Sequence, residues 1–215
     1  VSLSSCPSHS HDHIHDIAIT HTTPIGLKIA LVLALFINAG MFMVELSAGH
    51  FAFSSALLAD SLDFLADALA YGITFAVLSA SIIVRARIAL AKCFVLFGLA
   101  VYVLATTLYQ VTTQNLPDAT VMVGVGVLAL LANGLCVLLL YQFRTGDSNI
   151  RSVWLCSRND MMGNIAVLAA AAGVFGTHTV WPDIIVATLM CGLFLHTSMT
   201  ITRQAVHEIK NSSRY

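Results

Sequence analysis

Five carboxylates stand in stretches of this chain that are otherwise apolar: Glu45, Asp60, Asp63, Asp67 and Asp160. Where water is scarce, such groups can do two kinds of chemistry: hold a cation or carry a proton. Their spacing favours a shared site. Asp63 and Asp67 are four residues apart, about 40° around a helix of ~3.6 residues per turn, so they occupy one face. Asp60 lies beside them on the preceding turn. Farther along, Cys156 and Asp160 repeat the four-residue step, and Asn164 extends that stripe. Two residues from each of two facing helices make a set of four: Asp63, Asp67, Cys156 and Asp160. Four donors that mix carboxylate and thiolate suit the tetrahedral preference of zinc. Calcium and magnesium ask for more oxygens than this set supplies. Thiolate softness points to zinc, cadmium and other thiophilic ions rather than manganese.

The elements that must carry these residues follow from composition. Of the 215 residues, 58% are apolar and only 10% charged, against about 25% charged in a soluble domain. There are too few polar side chains to cover a water-facing surface, so lipid is the expected outer solvent. A net charge of −1 gives no hint of nucleic acid or of a basic surface patch. A helix crossing the hydrocarbon needs ~20 mostly apolar residues, and six stretches qualify: 25–48, 55–83, 88–109, 119–141, 153–175 and 182–202. The predicted fold is therefore an all-α membrane protein of six transmembrane helices. Short connections with turn residues, such as Asn115-Leu116-Pro117-Asp118 and Trp181-Pro182-Asp183, leave no room for a soluble domain between spans. The expected organisation is a flexible tail at 1–24, the membrane domain at 25–203 and a short tail at 204–215. The first residues lack the basic segment and short apolar core of a signal peptide.

Six spans place all ten Lys and Arg on one side: Lys28; Arg85, Arg87 and Lys92; Arg144, Arg151 and Arg158; Arg203, Lys210 and Arg214. The positive-inside rule then puts both termini in the cytoplasm. Depth agrees with a joint site. Asp67 lies ~18 Å from the outer edge of the second span and Asp160 ~12 Å from the inner edge of the fifth, at ~1.5 Å per residue. The sum is ~30 Å, the hydrocarbon thickness, so both acids reach one level near the midplane. Each carboxylate there costs on the order of 3 kcal/mol, which is the reason to expect that they face a cation, a cavity or one another. Because metal binding requires deprotonated ligands, the same acids would take up protons when empty and so exchange metal for H⁺.

The segment Ser54-Ser55-Ala56-Leu57-Leu58-Ala59-Asp60-Ser61-Leu62-Asp63-Phe64-Leu65-Ala66-Asp67-Ala68-Leu69 resembles the second-helix signature of the cation diffusion facilitators. Trp154-Leu155-Cys156-Ser157-Arg158-Asn159-Asp160, followed by Asn164, resembles their fifth-helix signature. Trp181-Pro182-Asp183 looks like the entry to their sixth helix, and Asn38 with Glu45 resembles the polar pair of their first. The resemblance covers roughly residues 25 to 203. It implies a homodimeric, proton-driven exporter of zinc and related divalent ions from the cytoplasm, with no enzymatic activity and no permanently bound cofactor. Direction of transport comes from the resemblance alone. Cys156 departs from it, standing where the family usually has His or Asp. Family members also usually end in a cytoplasmic metallochaperone-like domain, for which too few residues follow the sixth span, so dimerisation is expected to rest on the membrane helices.

Other residues read less sharply. Asp60 suits an outer role around the metal or a proton carrier, and equally a structural one. Glu45 and Asn38 share a face seven residues apart, where interhelical hydrogen bonding explains them at least as well. Cys93, Cys136 and Cys191 lack partners in sequence and read as packing, and His178 and His196 read as incidental. His9, His11, His13 and His15, with Cys6, Asp12, Asp16 and His21 nearby, form a His-rich tract able to collect metal by composition. Ala59, Ala66, Ala70, Gly163 and Ala170 allow close helix approach. The acid pairs, offset by the same distance on opposed helices, are compatible with an inverted three-plus-three repeat. Two rival functions remain: a metal-responsive membrane sensor that does not move ions, and an intramembrane hydrolase. The hydrolase lacks an HExxH or GxSxG element.

Overall fold

The computed structural model describes the backbone at residues 25–76, 82–141, 143 and 148–212. Its side chains are described for the same residues except 73–76, 82–90, 92, 148–159, 197, 200, 201 and 203–212. The His-rich tract at 1–24 and the side chain of Cys156 lie outside the described residues. Six helices run in order: α1 (Ile25–Phe51), α2 (Ser55–Ala76), α3 (Ile82–Thr113), α4 (Ala119–Tyr141), α5 (Ser148–Thr177) and α6 (Trp181–Ser212). No strand occurs among the described residues. The described residues are thus all-helical apart from turns, consistent with an all-α membrane protein.

Four of these helices are long and apolar enough to cross a membrane on their own: α1, α4 and the stretches Cys93–Thr113 of α3 and Asp160–Thr177 of α5. The second helix is long enough but carries three aspartates, and α6 contributes the apolar stretch Trp181–His196. The outward faces confirm the solvent. Phe94, Leu131, Leu138 and Phe175 are 79%, 65%, 70% and 73% exposed. Left in water, each such side chain would forfeit about 1.5–3 kcal/mol of burial. A lipid-facing surface is the consistent reading, and the protein is an integral membrane protein. The helices α3 and α6 run past their expected spans, and α6 continues to Ser212 through residues anticipated as tail.

The closest pairings are α1 with α2, α4 with α5, and α3 with α6; α1 and α4 also pack together, and α2 touches α3, α5 and α6. The interior is layered. One cluster joins Leu57, Leu62, Val103, Met122, Val167 and Met190 from α2 to α6. A second, small one joins Met41, Phe64 and Ala129. A third joins Leu27, Leu31, Tyr71, Cys136 and Leu140. Gly49 makes the α1–α2 hairpin possible, since a Cβ there would lie 2.9 Å from Leu58 Cδ2 and 3.0 Å from its backbone nitrogen. At the head of α4, Asp118 Oδ1 accepts from the amides of Thr120 and Val121 at 2.9 and 3.2 Å, an ordinary N-cap.

Candidate metal-ion site

The second helix changes character along its length. Every residue from Ser54 to Leu62 is buried, and Asp60 is wholly so, whereas Asp63 and Asp67 are half-buried. Alternation of acids with Leu62, Phe64 and Ala68 keeps the helix amphipathic: the apolar residues are buried in the core and the carboxylates share the remaining face.

The fifth helix meets that face through a glycine. A Cβ on Gly163 would lie 3.1 Å from Asp60 Oδ1 and 3.3 Å from Asp63 Oδ2, with Met190 Cε at 3.2 Å. Only the missing side chain lets the α5 backbone come up against two carboxylates. Asp160, half-buried, stands three residues before Gly163, and wholly buried Asn164 follows it. Farther down α2, Asp67 Oδ2 accepts from the Tyr71 hydroxyl at 3.4 Å. Asp67 of α2 and Asp160 of α5 both lie within electrostatic range of Cys136 on α4.

The first helix adds a polar edge. Glu45 is wholly buried, its carboxyl within hydrogen-bonding reach of Asp60 and within electrostatic reach of Asp63. Among the described residues, no N–H or O–H donor reaches the oxygens of either Glu45 or Asp60. Carboxylates are acceptors only, so these two can bond to each other only through a proton between them. Asn38 donates through Nδ2 to the Ala34 carbonyl at 2.8 Å and, weakly, to Cys136 Sγ at 3.7 Å. Its Oδ1, and both side-chain polar atoms of Asn164, are buried and meet no partner among the described residues.

Three of the four residues expected at the primary site therefore lie on the described part of α2 and α5. The structure sets Asp63 against the α5 backbone and brings Asp67 and Asp160 within range of one thiol. Among the described residues, it does not gather three His, Cys, Asp or Glu side chains into a ready-made metal cage. Cys156, the fourth, has its side chain outside the described set. Cys136 is buried in a packing cluster, as expected of it, but its neighbourhood is polar, which a lone cysteine in an apolar run gave no reason to anticipate. Asp183 was legible only as the entry to α6; its carboxylate instead bonds the head of α2.

A family model described as the cation efflux transmembrane domain matches residues 88–209, more than half of the chain. The chain belongs to the cation efflux family. It is also similar to two curated relatives, the metal cation efflux system protein CzcD of Cupriavidus metallidurans (strain ATCC 43123 / DSM 2839 / NBRC 102507 / CH34) and the cation efflux system protein CzcD of Alcaligenes sp. (strain CT14). Each is 27% identical over 198 residues, covering 85% of this chain and 58% of the relative. The chain thus spans somewhat over half the length of the relatives it matches. The acids carried by α2 and α5 in an otherwise apolar bundle are negatively charged oxygen donors.

Proposed function

We propose that this chain is a proton-coupled transporter that exports zinc-like divalent cations from the cytoplasm, with Asp63, Asp67, Cys156 and Asp160 holding the ion. The observation that carries this reading is the apposition at Gly163, where α2 carboxylates abut the α5 backbone three residues from Asp160. Family membership supports it, as do the relatives, whose names describe metal cation efflux. The metal is cargo rather than a resident cofactor, and the work is displacement of an ion, without bond-making chemistry.

The physical cycle follows from the cost of charge in lipid. A divalent ion offsets carboxylates that each cost on the order of 3 kcal/mol at mid-bilayer. When the ion leaves, protons neutralise the same oxygens, because ligands must be deprotonated to bind metal and release it on protonation. Glu45 and Asp60, adjoining Asp63, provide a proton route into the site. Asn38 and Asn164 supply neutral polar atoms at its border. The transporter works as a homodimer in the cytoplasmic membrane, with both ends of its membrane domain on the cytoplasmic side. It needs lipid, divalent cations and protons, and no nucleic acid.

The test is flux in proteoliposomes under an imposed pH gradient, with zinc, cadmium and cobalt in turn. Zinc and proton movement should be coupled; binding without flux would leave the sensor reading instead. Cys156→His replaces a soft sulfur by an imidazole, which zinc and cobalt accept well. Cadmium flux is therefore expected to fall relative to zinc in that variant. Equal scaling for all three ions would remove Cys156 from the site. The tail carrying His9, His11, His13 and His15 acts as a cytoplasmic metal collector. Deleting residues 1 to 22 is expected to slow transport several-fold at low metal while leaving the saturated rate unchanged. Complete loss of transport would contradict a collecting role.

A further inference from the structure

We propose that Asp183 on α6 is a positioning residue for the cation site, setting the height of α2 and hence of Asp60, Asp63 and Asp67 against α5. The proposal rests on the transport reading above. Asp183 lies in the first turn of α6 and is wholly buried, yet its carboxylate serves another helix. Oδ1 accepts from the Ser54 hydroxyl at 2.7 Å and from the Ala56 amide at 3.2 Å, and Oδ2 accepts from the Ser55 amide at 2.8 Å. These amides belong to the first turn of α2, where no intrahelical carbonyl is available. A negative group is favoured there by the helix dipole as well. Ser54 Oγ in turn accepts from the Leu57 amide at 3.2 Å, so α2 has its own cap and a second one lent by α6.

The same turn is also tied to α3 and to the head of α4. Ser55 Oγ donates to Gln110 Oε1 at 2.7 Å, and Gln110 Nε2 donates to the Phe53 carbonyl at 2.9 Å. Phe53 has left-handed backbone, φ 54°, which turns the chain between α1 and α2. The Asp118 amide donates to the Ala52 carbonyl at 3.0 Å. Apolar contacts tolerate sliding, whereas charge-assisted bonds demand direction and distance. The head of α2 is thus the directionally held point of the helix, and Asp60 lies only ~7.5 Å of helix rise beyond Ser55. The helix is rigid over that span, so any shift of the head moves all three acids together. Ion coordination tolerates errors of only about 0.2 Å in ligand distance. Loss of the trans cap should therefore appear first as lost ion affinity.

The experiment measures zinc KM and maximal rate in proteoliposomes, and zinc affinity by titration in detergent, for Asp183→Asn and Ser54→Ala. The asparagine keeps the shape but turns an N–H group toward amide donors, removing at least one bond. Ser47→Ala, which removes an exposed hydroxyl bonded to the Met43 carbonyl within α1, is the matched control. Asp183→Asn is expected to weaken zinc affinity and raise KM at least tenfold, and Ser54→Ala about threefold, with smaller effects on the maximal rate. Ser47→Ala should leave KM within twofold of wild type. If Asp183→Asn does not reach the membrane, the milder serine variant decides. Unchanged KM and affinity in the decisive variant, whatever its maximal rate, would overturn the positioning role, as would a wild type that binds no zinc. A wild type that binds zinc without moving it would refute the transport reading while the titration still tests Asp183.

Discussion

Zinc flux is expected to fall at least about a hundredfold when Asp67 or Asp160 is replaced by alanine, a change equal to about 2.7 kcal/mol. The two acids come from different helices, α2 and α5, and both act on the Cys136 thiol. Removing either takes one carboxylate from the four proposed donors and leaves a divalent ion with less charge to offset its dehydration in a low-dielectric interior. Abundance offers an internal control. A mid-bilayer carboxylate costs on the order of 3 kcal/mol to insert, so the alanine variants should accumulate at least as well as wild type. Loss of flux with normal abundance separates a ligand from a structural acid. Residual flux should also respond less steeply to acidification, because fewer carboxyls remain for protons and zinc to contest. Either variant retaining full flux would end the proposed site.

The second large effect concerns a residue with no side chain. Gly163→Val is expected to abolish zinc flux, and Gly163→Ala to weaken apparent zinc affinity about tenfold. A Cβ at this position would stand 3.1 Å from Asp60 Oδ1 and 3.3 Å from Asp63 Oδ2, closer than such contacts comfortably allow. Met190 Cε, at 3.2 Å, can swing aside, but Asp60 is wholly buried and α2 is held at its head, which leaves that carboxylate little room to move. Either the helices part or the carboxylates turn away from the α5 backbone, and both changes displace the proposed ligand oxygens. Gly134→Ala on α4 is the control, since a Cβ there meets nothing within 4 Å. That variant should transport normally and gain up to about 1 kcal/mol of helix propensity. Equal behaviour of the alanine variants at 163 and 134 would show that close α2–α5 approach does not matter.

Much of the architecture was legible from apolar run lengths, because lipid admits few backbone solutions and a helix must span a fixed thickness. The acids were legible for the same reason: charge in such runs is conspicuous. Gly163 could be read as small, but not as the point facing Asp60 and Asp63, since sequence does not give the rotation of one helix against another. The meeting of Glu45 with Asp60, and of Cys136 with Asn38, was hidden for that reason too. Asp183 was the hardest to read. An aspartate after proline at a helix start ordinarily caps its own helix, whereas here it bonds Ser54, Ser55 and Ala56, well over a hundred residues earlier in the chain. The far ends of α3 and α6 were underestimated because helices persist beyond lipid wherever packing or solvation allows, and hydropathy marks only the part in hydrocarbon.

If one ion is gripped from both sides, the losses caused by removing each grip cannot be independent. The most direct measurement is a double-mutant cycle on zinc binding to the purified protein, comparing wild type, Asp67→Ala, Asp160→Ala and the double variant. Each single change should cost nearly as much as both together, with a coupling energy of about 2 kcal/mol, within the range for groups sharing one interaction. Losses that simply add, each variant keeping its own share of affinity, would mean that α2 and α5 do not hold a common ion.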